Sequence, residues 1–200
     1  MSRDEQLEAL RGRRAFLIDM DGVVYRGREL LPGVKPFLDW LRRTGRRHLF
    51  VTNNSLFTPE QLAARLCRMG VQASPGDFYT SALAAAAFCR EQSDAPSAWM
   101  IGADGLREAL EQAGVRLTDR APEFVVAGEA LDGYGFQSVE TALRLVLSGA
   151  RLIATNADVK GPVEGGGIIP ATGAMVAPIE IASGREAYFV GKPNPFMLRQ

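Results

Sequence analysis

Two carboxylates one residue apart, Asp19 and Asp21, follow directly on the apolar run Ala15-Phe16-Leu17-Ile18, and Gly22 breaks the run behind them. An apolar run bounded by a turn residue reads as a buried parallel strand. Both carboxylates then arrive at its carboxyl end, the edge at which open α/β sheets bind ligands. Asp is depleted in strands and seldom buried without a partner. A pair of them at one strand end calls for a cation, for phosphate chemistry, or for a tight turn; a plain Asx-type turn on Asp21-Gly22 is the structural alternative. Two further apolar strands end in polar groups of a matching kind: one over 48–52 runs into Thr52-Asn53-Asn54-Ser55, and one over 188–190 runs into Gly191-Lys192-Pro193. On one parallel sheet all three ends line one crevice, which then holds two carboxylates, a hydroxyl, side-chain amides, backbone N–H groups and an ammonium. That set suits a phosphate beside a divalent cation. Mg²⁺ is hard, prefers oxygen, and uses one or two carboxylates with several waters and phosphate oxygens. A carboxylate can be the nucleophile, forming an aspartyl-phosphate, while Lys192 and the cation offset its repulsion from the phosphate dianion.

The elements that must position these residues are legible along the chain. A short polar helix is expected over 4–13, then the strand over 15–19 and a turn at Leu31-Pro32-Gly33. Val34, Phe37, Leu38 and Leu41 recur at helical spacing, and Gly45 closes that helix. Thr58-Pro59-Glu60-Gln61 is an N-cap signature, with Thr at the cap, Pro at the first helical position and Gln in the capping-box place. Strand, helix, strand, helix in this order is a βαβα unit with a parallel sheet. An Ala-rich helix over 82–91 follows, and the pattern restarts. Strands are expected over 98–101, 124–127 and 151–155, helices over 104–113, 136–147 and 174–183, and a Gly-rich loop over 161–167. That loop lacks the Gly-Lys-Ser/Thr of a nucleotide-binding P-loop. The chain reaches Gln200 just inside what reads as a new helix, so the closing strands of the sheet are expected beyond it.

Composition excludes several classes. The 200 residues are 46% hydrophobic and 23% charged with no net charge, which suits a globular domain and offers no nucleic-acid or membrane surface. Of 23 basic residues only three are Lys, so Lys192 stands out. Cys67 and Cys89 fall in helical patterns without metal-ligand spacing and read as buried thiols of a reducing compartment. The charged N-terminus has no apolar signal region, and a cytoplasmic location is expected. With one histidine, His48, any mechanism needing a His base or a His-rich metal site is set aside.

Phe16-Leu17-Ile18-Asp19-Met20-Asp21-Gly22-Val23-Val24, then Val51-Thr52-Asn53-Asn54-Ser55, then Val190-Gly191-Lys192-Pro193-Asn194-Pro195 resemble, in order, the first three motifs of the haloacid dehalogenase superfamily of phosphatases. The Thr-Asn-Asn form, with Ile153-Ala154-Thr155-Asn156-Ala157-Asp158 and Pro170-Ala171-Thr172-Gly173-Ala174, is similar to subfamily IIA, the branch of NagD-like and p-nitrophenyl phosphatase-like proteins. The resemblance implies an α/β fold with a Rossmann-like parallel sheet core and an inserted α/β cap domain of type IIA. The core takes 1–81 and 185–200, the cap takes 82–184, and the C-terminal part of the core is expected beyond Gln200. It implies Asp19 as nucleophile, Asp21 as general acid and then base, and Lys192 as partner of Asp19 and the phosphate. Gly22, Thr52, Asn53 and Asn54 would contact phosphate. Asn156 and Asp158 would contact substrate, a plain Asx turn being the equal alternative. Mg²⁺ would be held by the Asp19 carboxylate and the Asp21 main-chain carbonyl, with a further acidic ligand expected beyond Gln200. The implied function is Mg²⁺-dependent hydrolysis of small phosphomonoesters. A phosphotransferase or dehalogenase on the same core, or a catalytically silent phosphometabolite-binding protein, are the rivals. Asp21 argues against the dehalogenase, whose leaving halide needs no proton. The expected partner is a small phosphorylated metabolite, with neither nucleic acid nor membrane, and a homodimer through the cap is allowed.

Overall fold

The computed structural model describes residues 2–162 and 167–199. A capped helix α1 (Arg3–Arg11) precedes the strand β1 (Ala15–Ile18). A small hairpin of β2 (Tyr25–Arg26) and β3 (Glu29–Leu30) leads to α2 (Val34–Arg43), β4 (Arg47–Thr52) and α3 (Pro59–Arg68). Thr58 and Gln61 form the expected capping box at the start of α3. Next come β5 (Phe78–Thr80) and α4 (Ser81–Gln92). The second half runs β6 (Ser97–Ile101), α5 (Asp104–Gln112), β7 (Arg116–Leu117), β8 (Phe124–Ala127), α6 (Phe136–Leu147) and β9 (Arg151–Ala154). It closes with β10 (Lys160–Pro162), β11 (Ile168–Pro170), α7 (Thr172–Ser183) and β12 (Tyr188–Phe189).

Two parallel sheets result. One has the order β1-β4-β5, and the other the order β12-β9-β8-β6-β7. Ile18 pairs with Phe50 and Thr52 with Thr80, so the first sheet brings the ends of β1, β4 and β5 to one edge. On one face of this sheet Ile18, Phe50 and Phe78 pack against Leu38 and Leu41 of α2 and Leu62 and Leu66 of α3. The Ala-rich α4 lies under the other face. Its Ala84, Ala85 and Ala86 are buried with Val51 of the first sheet and with Phe124, Val126 and Ile153 of the second. A helix apolar all round is one buried on all sides, and alanine lets the two sheets close on it.

Several expectations differ from what is observed. The strand over 188–190 is expected in the same sheet as Asp19, but β12 pairs with β9, so Lys192 starts from the edge of the five-stranded sheet. The strand β1 is not buried throughout: α4 covers the sheet at Leu49 and Val51 and leaves Leu17 62% exposed. The expected loop over 161–167 begins inside β10 and leads into β11, with which β10 pairs antiparallel, its positions 163–166 lying outside the described residues. Beyond β12 the chain makes a 3₁₀ turn, Pro195–Leu198, rather than the start of an α-helix. Cys89 is buried as expected, whereas Cys67, on the polar side of α3, is exposed. No helix among the described residues is long and apolar enough to cross a membrane.

Candidate active site

A cleft of about 740 Å³ opens where the ends of β1, β4, β8 and β12 meet the β10–β11 hairpin. Asp19, Asp21, Thr52, Asn53, Asn54, Asp158 and Lys192 all line it. Each is delivered by a local device. After β1, the Met20 carbonyl accepts hydrogen bonds from the Val23, Val24 and Tyr25 N–H groups, and Gly22 takes a positive φ of 76°. That tight curl is what a residue without a Cβ permits, and it returns Asp21 toward the cleft beside Asp19. The Gly22 N–H is spent on the Tyr25 carbonyl at 2.9 Å, and Gly22 itself does not line the cleft.

Lys192 crosses from the second sheet to the first. Its Nζ donates to Asp19 Oδ1 at 2.5 Å and to the Val51 carbonyl at 2.8 Å. Asp19 Oδ1 also accepts from the Met20 N–H at 2.8 Å, and among the described residues Oδ2 has no hydrogen-bond partner. Asn53 holds the crossing in place. Its Oδ1 accepts from the Lys192 N–H at 2.8 Å, and its Nδ2 donates to the Lys192 carbonyl and to Asp158 Oδ2, both at 3.1 Å. Its carbonyl accepts from Asn156 Nδ2 at 2.9 Å and from Ser81 Oγ at 2.6 Å. The Asn53 amide is thus engaged at both ends and acts on Lys192. Asn156 is fully buried behind the cleft, and its Oδ1 accepts from the Asp158 N–H at 3.1 Å, the geometry of an Asx turn. Thr52 Oγ1 and Asn54 Oδ1 accept from the N–H groups of Asn54 and Phe57, which fixes the loop after β4.

Gly191 makes the crossing possible. A Cβ there would stand 2.7 Å from Asn53 Oδ1 and run into the Thr155 carbonyl. Gly191→Ala is expected to cost about 1–3 kcal/mol, the usual toll of overpacking, and to move Lys192 off Asp19. Thermal unfolding and kcat measured on the same preparation check both effects.

Sequence reasoning missed three charged residues of the cleft: Arg65, Glu129 and Lys160. Arg65 rises from α3, stacks over the Tyr25 ring at 4.6 Å from its centroid, and donates to the Gly27 carbonyl at 2.8 Å. Tyr25 is buried beneath it, and its hydroxyl bears on the Asp21 carboxyl. Glu129 stands at the end of β8, where its N–H donates to Ser55 Oγ at 2.9 Å and its Oε2 accepts a long 3.4 Å bond from the Ser55 N–H. The rule that found Asp19 could have found Glu129, since Gly128-Glu129 follows the apolar run Phe124-Val125-Val126-Ala127.

Burial dominates the electrostatics. It raises the Asp21 carboxyl, with Asp19 adding to the rise and Arg65, Lys192 and the Tyr25 hydroxyl opposing it. It raises Glu129 to about 7 against the opposing Ser55 N–H, and Asp21 and Asp158 push it further. Glu129 binds its proton more tightly folded than unfolded. Its contribution to stability is therefore complete below the unfolded value of 4.5 and lost as pH rises through about 7. Glu129→Gln, which cannot ionise, is expected to gain stability relative to the native protein as pH rises from about 5 to about 8; calorimetric Tm values across that range test the sign.

A metal site can be judged from the donors present. Asp19 supplies a hard carboxylate, and the Asp21 main-chain carbonyl lies two residues on. These fit Mg²⁺ in kind. They are part of a shell, because among the described residues no group of three or more His, Cys, Asp or Glu could hold a metal.

Comparison with known proteins places this geometry. The model of haloacid dehalogenase-like hydrolases matches residues 16–116. Dihydroxyacetone phosphatase of Corynebacterium glutamicum is 46% identical over 185 residues, which cover 92% of this chain and 66% of that protein. The chain thus spans about two thirds of the length of this curated relative. The solved structure of NagD from E. coli K-12 superposes with a TM-score of 0.86 at 37% identity, covering 93% of this chain and 72% of that one. That of glycerol phosphate phosphatase from Mycobacterium tuberculosis in complex with magnesium gives 0.87 at 32% identity, covering 93% and 56%. With its three strand-end motifs meeting in one cleft, the chain belongs to the haloacid dehalogenase-like hydrolases, in the branch of NagD and the p-nitrophenyl phosphatases.

Proposed function

We propose that the protein is a phosphatase of small phosphomonoesters, sugar and polyol phosphates among them, acting through Asp19 with Mg²⁺ as cofactor. One observation carries the reading: Lys192 is brought from another sheet to within 2.5 Å of Asp19, and its ammonium leaves one carboxylate oxygen of Asp19 without a partner among the described residues. An ammonium paired to a carboxylate fixes its orientation and offers the incoming phosphate a positive partner. The phosphatase activities named for the relatives, and the magnesium in one of their structures, support it.

The steps follow from the chain's own groups. Asp19 Oδ2 attacks phosphorus as the bond from phosphorus to the ester oxygen breaks. Asp21, whose carboxyl burial favours in the protonated form, gives its proton to the departing alkoxide. The Asp21 carboxylate then takes a proton from water as the water oxygen attacks phosphorus. The bond between Asp19 and phosphorus breaks, which frees inorganic phosphate and restores both residues. Lys192 stabilises the charge that collects on the phosphoryl oxygens. Mg²⁺, held by Asp19 and the Asp21 carbonyl, would supply a second positive charge to those oxygens. Phosphate release from a panel of phosphomonoesters, with and without Mg²⁺, tests the proposal. Hydrolysis that requires Mg²⁺ is expected; tight binding of the same esters without turnover in Mg²⁺ would overturn it in favour of a silent binding protein.

A further inference from the structure

The proposed chemistry engages Asp19 and Asp21, and Asn53 holds Asp158. Glu129 is the carboxylate of the cleft left without a task. Its mount is rigid. The main chain is tied at both ends, its N–H to Ser55 Oγ and its carbonyl to the Ala103 N–H at 3.2 Å. Ser55 Oγ in turn accepts from Thr155 Oγ1 at 3.2 Å. Of the two carboxyl oxygens, Oε2 is turned to the Ser55 N–H. Oε1 faces the β10–β11 hairpin, 4.0 Å from where a Cβ on Gly161 would stand, and has no hydrogen-bond partner among the described residues. A carboxyl oxygen held in a partly buried cleft without a partner is stabilised when a ligand supplies one. The cleft, at about 740 Å³, is far roomier than a phosphate group requires, so Oε1 faces space that the leaving group fills.

We propose that Glu129 is a specificity-determining residue that hydrogen-bonds a hydroxyl of the leaving group, giving the site a preference for phosphate esters of neutral polyols and small sugars. The proposal rests on the phosphatase reading above. A hydroxyl both donates and accepts, and a carboxyl held near the midpoint of its titration at neutral pH does the same. A second anionic group on the leaving group would be disfavoured at Glu129 itself, although the wider cleft also carries Arg65 and Lys160. Gly161 leaves open the space opposite Oε1 that a side chain would fill.

The test compares sn-glycerol 3-phosphate with p-nitrophenyl phosphate, whose leaving group has no hydroxyl to read beyond the ester oxygen. In Glu129→Ala the ratio of kcat/KM for the glycerol ester to that for the nitrophenyl ester is expected to fall about tenfold to a hundredfold, the range of one hydrogen bond to a charged group. Most of the change should lie in KM. Glu129→Gln, which keeps a donor and an acceptor in place, is expected to restore the ratio to within about fivefold. Equal losses on both esters would overturn the proposal, showing that Glu129 acts through Ser55, and so would an unchanged ratio. Calorimetric titration in an Asp19→Asn background reads the same preference without turnover, with inorganic phosphate as the reference ligand. There the advantage of the glycerol ester should disappear in Glu129→Ala; its persistence would overturn the proposal. A native protein that turns over neither ester counts against the phosphatase reading alone.

Discussion

Replacing Asp19 with Asn is expected to lower phosphomonoester turnover by roughly a millionfold, the scale on which covalent hydrolases lose activity when the nucleophile is removed. The amide has nearly the shape of the carboxylate, so the loss is chemical. Asp19 is half exposed, at 49% for the side chain, and its removal empties no core. The ion pair to Lys192 goes, but Lys192 Nζ keeps its bond to the Val51 carbonyl. Folding stability should therefore change by less than about 1 kcal/mol, the range for a partly exposed pair. Single-turnover kinetics with Tm measured alongside separate the two effects. An Asp19→Asn protein that stays folded and retains native turnover would remove Asp19 from the mechanism.

Lys192→Met should be the next most damaging change. The thioether chain fills the same space without the charge, and kcat is expected to drop about a hundredfold to a thousandfold, as when one donor to a developing anion is deleted. KM should rise as well, because Lys192 also offers the ground-state phosphate a positive partner. The Val51 carbonyl loses its donor, at a cost of about 1 kcal/mol. Lys192→Arg should not restore activity, since a planar guanidinium cannot reproduce one ammonium shared between Asp19 Oδ1 and a main-chain carbonyl. Steady-state kinetics of the two variants beside the native protein check this.

Strand ends are readable in the sequence because an apolar run followed by polar residues says both that a strand is buried and where it stops. That logic locates Asp19, Thr52 and Lys192, and the Thr58–Gln61 capping box locates the start of α3. It cannot say which sheet a strand joins. β12 is only two residues long, and its pairing with β9 is set by tertiary contacts that leave no periodic trace. The hairpin of β10 and β11 is equally hidden, since glycine and proline read as loop even where two short strands pair. Arg65 escapes notice because a single Arg on an amphipathic helix reads as solvent-facing. Only the fold shows that this Arg covers Tyr25 and reaches the Gly27 carbonyl. Asn53 is legible as a site residue, but not the dense set of bonds that commits its amide to the Lys192 main chain and Asp158.

In the proposed mechanism Asp19 becomes covalently phosphorylated, and Asp21 is needed to release the phosphate. The most direct measurement is mass spectrometry of the peptide carrying Asp19 after an acid quench of an Asp21→Asn variant turning over an activated ester such as p-nitrophenyl phosphate with Mg²⁺. The good leaving group lets the first step proceed without an acid, while the second step lacks its base, so the intermediate accumulates. The expected result is the added mass of one phosphoryl group on that peptide, lost on treatment with hydroxylamine. An unmodified peptide, with phosphate released at the native rate, would contradict the mechanism.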